Sequence, residues 1–323
     1  MKLYSIMDYF SDFSSCDSLE CIDTHEQSLE GSCDSIISYD SQDYIDVYKG
    51  NYYSKPKQKR VHKVIVFDLD ETLGSFADLD ILLRALGSYK GSIVTPHFND
   101  VLDLFPEFLR YGILPILAYL LKKRSTLIRC YLYTNNQCSH PIWVNNMVRY
   151  FDYKLLVDEP LFDRVVCAFK INNEIIEPAR TTNRKLHSDF IKCTLLPANT
   201  EICFVDNTYY SGMDVERVYY IQPRSYYHHL STQQIIDRYI SAFGSHDLQL
   251  SSYLMDFFVR KGRILSGNPT FKELETDIYV AQRLMYHIKE FIFLTQIRKP
   301  RTKKLKKANA KITRATRKRW TTI

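Results

Sequence analysis

The sequence predicts an α/β fold: a parallel sheet flanked by helices, with a C-terminal helical extension and disordered termini. Three observations carry that prediction. Mostly apolar runs at residues 64–67, 127–133 and 202–205 each end in a polar residue, as buried parallel strands do. Helix-spaced apolar patterns separate these runs and continue beyond them. The two ends of the chain carry charge of opposite sign, beneath a formal net charge of only +6. A length of 323 residues suits one α/β core plus an extension.

Residues 1–48 hold eleven Asp or Glu and a single Lys among many Ser and Tyr, with no Pro. Such a stretch lacks the sustained apolar pattern that burial requires, so it reads as a flexible acidic arm. Residues 49–63 (KGNYYSKPKQKRVHK) change sign and read as a basic linker. Arm and linker therefore occupy 1–60, and a folded domain occupies 61–225. No charged segment followed by an apolar run and cleavage site opens the chain, so no secretory signal is expected. No apolar run reaches transmembrane length either. Eight cysteines are scattered as Cys16, Cys21, Cys33, Cys130, Cys138, Cys167, Cys193 and Cys203, with no C-x-x-C pair. Cys130, Cys167 and Cys203 lie in apolar runs and read as small core residues. A reducing intracellular compartment, nucleus or cytoplasm, is the resulting expectation.

The first strand ends in Asp68-Leu69-Asp70-Glu71-Thr72. Residues two apart on an extended chain point the same way, so Asp68 and Asp70 project together beyond its carboxyl end. Two such charges repel unless a cation, a shared proton or solvent intervenes. Mg2+, a hard ion that takes oxygen ligands from one or two carboxylates, is the economical answer. Ligand sites in open α/β sheets also lie at this end of the strands.

Residues 78–86 place Leu79, Leu82, Leu83 and Leu86 on one side of a short helix that Gly87 can end, and a loop follows. Residues 101–121 read as two helical pieces, because Pro106 and Pro115 interrupt the pattern; the second piece covers 112–123. The strand at 127–133 runs straight into Thr134. Ser139-His140-Pro141 can begin a helix that buries Ile142, Met147, Val148 and Phe151. A short strand at 163–169, a turn at Asn172-Asn173 and a helix starting near Lys185 lead to the strand at 202–205, which ends in Asp206-Asn207. Residues 218–221 form a last strand, stopped by Pro223.

Residues 226–295 read as a helical extension, with amphipathic patterns at 232–243 and 271–295. From Phe291 onward there are twelve Lys or Arg and no acid. The tail at 296–323 is therefore expected to be disordered, to attract nucleic acid or other polyanions without reading sequence, and to resemble a nuclear-localisation patch.

The pattern D-x-D-x-T after an apolar strand resembles the first motif of the haloacid dehalogenase-like (HAD) phosphatases. With Glu71 in place of the more usual Gly, and with Asp206-Asn207 after a later strand, it is similar to the phosphoprotein-directed branch related to the small C-terminal-domain phosphatases. The likeness covers roughly residues 60–225 and implies a HAD-like Rossmannoid sheet. It also implies roles: Asp68 as nucleophile, Asp70 as general acid and base, and Thr134 and Lys185 as phosphoryl-binding residues. Arg184 and Lys192 compete with Lys185 for its role. Mg2+ would be held by Asp68, the backbone carbonyl of Asp70 and Asp206, with Asn207 ordering its water shell. Thr72 would order the loop. A phosphorylated protein is the implied substrate. Two rivals stand beside it: a phosphatase for nucleic-acid ends or small phosphate esters, and a non-catalytic scaffold. A small β insertion usual in the family is replaced here by the helical pattern at 78–86.

Overall fold

The computed structural model describes residues 44–54, 62–91, 96–126, 128–136, 143–244, 249–263 and 270–294. The acidic arm before residue 44, the helix start at Ser139-His140-Pro141 and the basic tail lie outside the described residues. The chain forms a mixed α/β structure with a six-stranded, mostly parallel sheet flanked by helices.

Strand β1 is Ile45–Lys49, β2 Lys63–Phe67, β3 Ile128–Tyr133, β4 Phe162–Val166, β7 Glu201–Val205 and β8 Val218–Pro223; β5 Lys170–Ile171 and β6 Glu174–Ile175 form a separate hairpin. The sheet order is β1-β8-β7-β2-β3-β4, with β2 in the middle. All neighbours are parallel except β1 and β8. Alternation along the central strands divides the interior into two cores. Ile65, Phe67, Cys130, Leu132, Cys203 and Val205 face one side. Val64, Val66, Tyr131, Tyr133, Ile202 and Phe204 face the other.

Strand β1 corrects the reading of residues 1–60 as arm and linker alone. Its alternation is that of a half-buried edge strand: Ile45 and Val47 pack on the first core while Tyr48 packs on the second. The acidic composition around it hid this short pattern.

Helix α1 is Ala77–Ser88, α2 Phe98–Asp103, α3 Ile113–Lys123, α4 Trp143–Leu155 and α5 His187–Thr194. Helix α1 continues through Gly87, and α2 begins inside the expected loop. Pro115 sits in the first turn of α3, where its missing N–H has no helical partner to lose, so it does not break that helix. The preceding Gly112 has φ 72, a left-handed conformation that suits glycine. Strand β4 stops at Val166, three residues earlier than expected.

The C-terminal extension contains α6 Thr232–Phe243, α7 Leu250–Arg260 and α8 Phe271–Phe293, of which α7 was not expected. Reciprocal capping boxes start α6 (Ser231, Gln234) and α8 (Thr270, Glu273). Ile235, Leu254, Leu284 and Phe291 belong to the same apolar cluster as Ile65 and Leu132. The extension thus completes one helical layer over the sheet. Lys63 links them: its buried ammonium donates to Phe291 O at 2.5 Å and Ile292 O at 3.0 Å. Burial lowers its pKa to about 8. Among the described residues, no helix is long and apolar enough to cross a membrane. Cys130, Cys167 and Cys203 are buried core residues as expected, and Cys193 is buried with them; Cys130, Cys193 and Cys203 are free, whereas Cys167 is disulfide-bonded.

Candidate active site

Strands β2, β3 and β7 are adjacent and parallel, so the residues that follow them share one end of the sheet. The backbone carries the ladder just past each strand. Asp68 N donates to Val205 O, Thr134 N to Val166 O and Asp206 N to Ile221 O. Topology alone therefore gathers Asp68, Thr134 and Asp206. The site lies where the strand order turns from β3 and β4 back to β7, at the centre of the sheet.

Lys185 joins the two carboxylates. Its ammonium donates to Asp68 Oδ1 at 2.5 Å and to Asp206 Oδ2 at 2.6 Å, and it is only 2% exposed. The residue precedes α5, where Leu186 N donates to Tyr133 Oη. Its Nζ lies within 6 Å of the Tyr133, Phe204 and Tyr210 rings, so the charge is enclosed by aromatic faces. Arg184 and Lys192 are exposed instead.

Burial works against the Lys185 charge, but Asp68 and Asp206 outweigh it and raise its pKa. Asp206 is pushed up to about 7 by burial, opposed by Lys185 and reinforced by Asp68. Asp70 is likewise pushed up to about 7 by burial and by the neighbouring Asp68. One ammonium thus faces an excess of buried carboxylate.

The remaining predicted residues are placed less directly. The Thr134 hydroxyl is buried and accepts from Asn136 N at 3.0 Å, within its own turn. Asn136 Nδ2 reaches Asp70 Oδ2 at 3.4 Å, so the β3 loop touches the acid pair through Asn136. Asn207 does not turn toward the carboxylates. Its Oδ1 accepts from Thr72 Oγ1 at 2.8 Å, its backbone N donates back to that oxygen at 3.1 Å, and its Nδ2 donates to Ser225 Oγ at 3.0 Å. Thr72 orders the loop through this exchange and lies 3.4 Å from Asp68 Oδ2.

Sequence reasoning missed Arg180. It is 2% exposed and donates to Thr134 O, Cys167 O, Asn135 Oδ1 and the carbonyls of Asn183 and Arg184. One guanidinium therefore fastens the loop after β3 to the segment that delivers Lys185. Its partners are mostly main-chain oxygens, which no side-chain pattern in the sequence signals.

Among the described residues, no three His, Cys, Asp or Glu side chains converge as a ready-made metal set. The donors at hand still suit a hard divalent ion. Asp68 and Asp206 are paired with a single cation, and Asp206 and Asp70, raised chiefly by burial and further by the neighbouring Asp68, leave room for a second positive charge.

The raised Asp70 gives a stability test. Its folded-state proton is held more tightly than the unfolded one, so its contribution to stability is full below about pH 4. That contribution is lost as pH rises through about 7. Asp70→Asn mimics the protonated acid. It should stabilise Mg2+-free protein at about pH 8 by roughly 1–3 kcal/mol, and change little at about pH 4. Equal effects at both pH values in calorimetry would show that burial of charge is not what strains Asp70.

No family model matches the chain. No curated protein matches it either. A solved structure described as a "putative beta-phosphoglucomutase from Thermotoga maritima" is similar at 15% identity, covering 48% of this chain and 83% of that chain, with a TM-score of 0.26. Similarity at that level carries no argument about fold or chemistry, and the site stands on its own geometry.

Proposed function

We propose that this protein is a Mg2+-dependent phosphomonoester hydrolase of the haloacid dehalogenase-like kind, working through an aspartyl-phosphate on Asp68 and acting on phosphorylated Ser or Thr in proteins. The observation that supports it best is the grip of Asp68 and Asp206 on buried Lys185, with Asp70 beside them held near neutrality.

Asp68 attacks phosphorus, and the bond from phosphorus to the leaving oxygen breaks as that oxygen takes a proton from Asp70. Water then attacks the phosphoryl group on Asp68 and gives its proton to Asp70. The bond to Asp68 breaks, phosphate departs, and both side chains return to their starting states. A pKa near 7 lets Asp70 serve in both directions at neutral pH. Lys185 offsets negative charge on Asp68 and on the equatorial oxygens. Arg180 and Asn136 hold the loop that presents Thr134. Mg2+, when bound, supplies further charge neutralisation; Asp68, Asp206 and the backbone carbonyl of Asp70 would hold it.

Asp206→Asn should raise the Mg2+ concentration needed for half-maximal activity by about tenfold or more, with a smaller loss at saturating metal. A Mg2+ titration of activity checks this; an unchanged midpoint would remove Asp206 from the metal set.

The phosphoprotein assignment draws on Glu71 and on the Asp206-Asn207 pair, and the basic tail favours the nucleic-acid rival. Comparing phosphopeptide with 5′-phosphorylated oligonucleotide before and after removal of residues 296–323 tests both. Phe291 and Ile292 are buried in the core, so the cut must fall beyond them. Retained phosphopeptide activity supports the first reading. Tail-dependent turnover of oligonucleotide, with none on phosphopeptide, supports the second.

A further inference from the structure

We propose that Arg110 is a positioning residue for Asp70: it fixes the tight turn at Glu71 and so the direction of the general-acid carboxylate. The proposal rests on the phosphatase reading above.

The turn after Asp70 is strained. Glu71 has φ 55, a left-handed conformation unfavourable for a residue with a Cβ. The turn closes locally, with Glu71 N donating to Gly74 O at 2.7 Å and a β-bridge between Asp70 and Gly74. Strain of this kind persists only where the surroundings over-determine it.

Arg110 supplies that constraint. It takes three successive carbonyls of the turn: Nη2 donates to Glu71 O at 2.5 Å, Nε to Thr72 O at 2.5 Å, and its own amide to Leu73 O at 3.0 Å. Nη2 also donates to Arg224 O at 2.8 Å, while Tyr226 N adds a second donor to Glu71 O at 2.9 Å. The segment after β8 is thereby fastened to the turn after β2. Ser75 N donates to Phe108 O from the same side, and a Cβ on Gly74 would collide with Phe108 O and the Phe76 ring.

Arg110 is 4% exposed, and among the described residues no carboxylate lies within ion-pair distance of its guanidinium. The Tyr226 ring lies 5.4 Å from the guanidinium and the Asp277 charge favours its ionised form. Every hydrogen bond of its side chain nonetheless goes to a carbonyl, and burying a cation with no close carboxylate is an expensive way to fill space. Its neighbour supplies the reason. The 3.4 Å contact from Asn136 holds Asp70 only weakly, so the carboxylate takes its direction from the backbone that Arg110 grips.

The test separates aim from folding. A general acid matters most when the leaving group is a poor one. Steady-state kinetics with Mg2+ are measured on 4-nitrophenyl phosphate and on phenyl phosphate for the full chain and for Asp70→Asn, Arg110→Lys, Gly74→Ala and Arg110→Lys with Glu71→Gly. Arg110→Lys should lower kcat on phenyl phosphate about tenfold more than on 4-nitrophenyl phosphate, with KM little changed, in the same sense as Asp70→Asn. Gly74→Ala displaces the same turn by forcing a Cβ against Phe108 O and the Phe76 ring and should show the same selectivity; the strain-relieved double variant carries the comparison if either single variant does not fold. Glu71→Gly relieves the left-handed strain, so the double variant should recover several-fold on phenyl phosphate relative to Arg110→Lys. Equal losses on the two substrates, or no recovery, would overturn the proposal. Absence of Asp68-dependent turnover in the unaltered chain would instead remove the phosphatase reading, and this role with it.

Discussion

Asp68→Asn is expected to abolish phosphate release, lowering kcat by about a thousandfold or more. The amide keeps the shape of the side chain but lacks the charge and nucleophilicity that attack on phosphorus requires. The fold should survive, because Lys185 keeps Asp206 as its partner and Asp68 N, which pairs with Val205 O, is untouched. Circular dichroism and Mg2+-dependent turnover on one preparation check both halves. Turnover within tenfold of the unaltered protein would remove Asp68 as the nucleophile. It would also favour a role in which the site binds without reacting.

Lys185→Met should have the largest effect on stability, a loss of roughly 3–5 kcal/mol at neutral pH, because breaking a buried pair strands the remaining charges. Asp68 and Asp206 would then face each other without their shared cation. The sign with pH follows. In the unaltered protein the Lys185 pKa is raised, so its stabilisation is complete below the unfolded value, about 10.4, and fades only above the folded one. In the variant, one carboxyl can take up a proton in place of the ammonium. The deficit should therefore shrink toward about pH 5 and shrink again on addition of Mg2+. Urea melts at two pH values, with and without the metal, measure this. A deficit independent of both would mean that Lys185 acts only through packing against its aromatic neighbours.

Much of the site was legible because parallel strands turn sequence position into spatial position. An apolar run ending in Asp68, another ending in Thr134 and a third ending in Asp206 had to meet at one end of the sheet once the runs were read as neighbouring strands. Lys185 was harder, since Arg184 and Lys192 look alike in the chain and only burial separates them. Arg110 and Arg180 left no trace in the sequence. Arg110 serves the carbonyl of Thr72 from 38 positions away, and Arg180 that of Thr134 from 46. Main-chain acceptors are the same at every residue, so such contacts have no signature. Asn207 carries contacts of the same hidden kind: its side chain holds Thr72 and Ser225, which its place beside Asp206 does not signal. Strand β1 was obscured by the acidic stretch in which its five residues are embedded.

The most direct test of the central claim is to trap the covalent intermediate. The full chain is mixed with Mg2+ and a phosphopeptide, quenched in acid, and digested for mass spectrometry. The account predicts a phosphoryl group on Asp68, absent from Asp68→Asn and absent without the metal. A phosphoryl group on another residue, or phosphate release from Asp68→Asn at an undiminished rate, would contradict it.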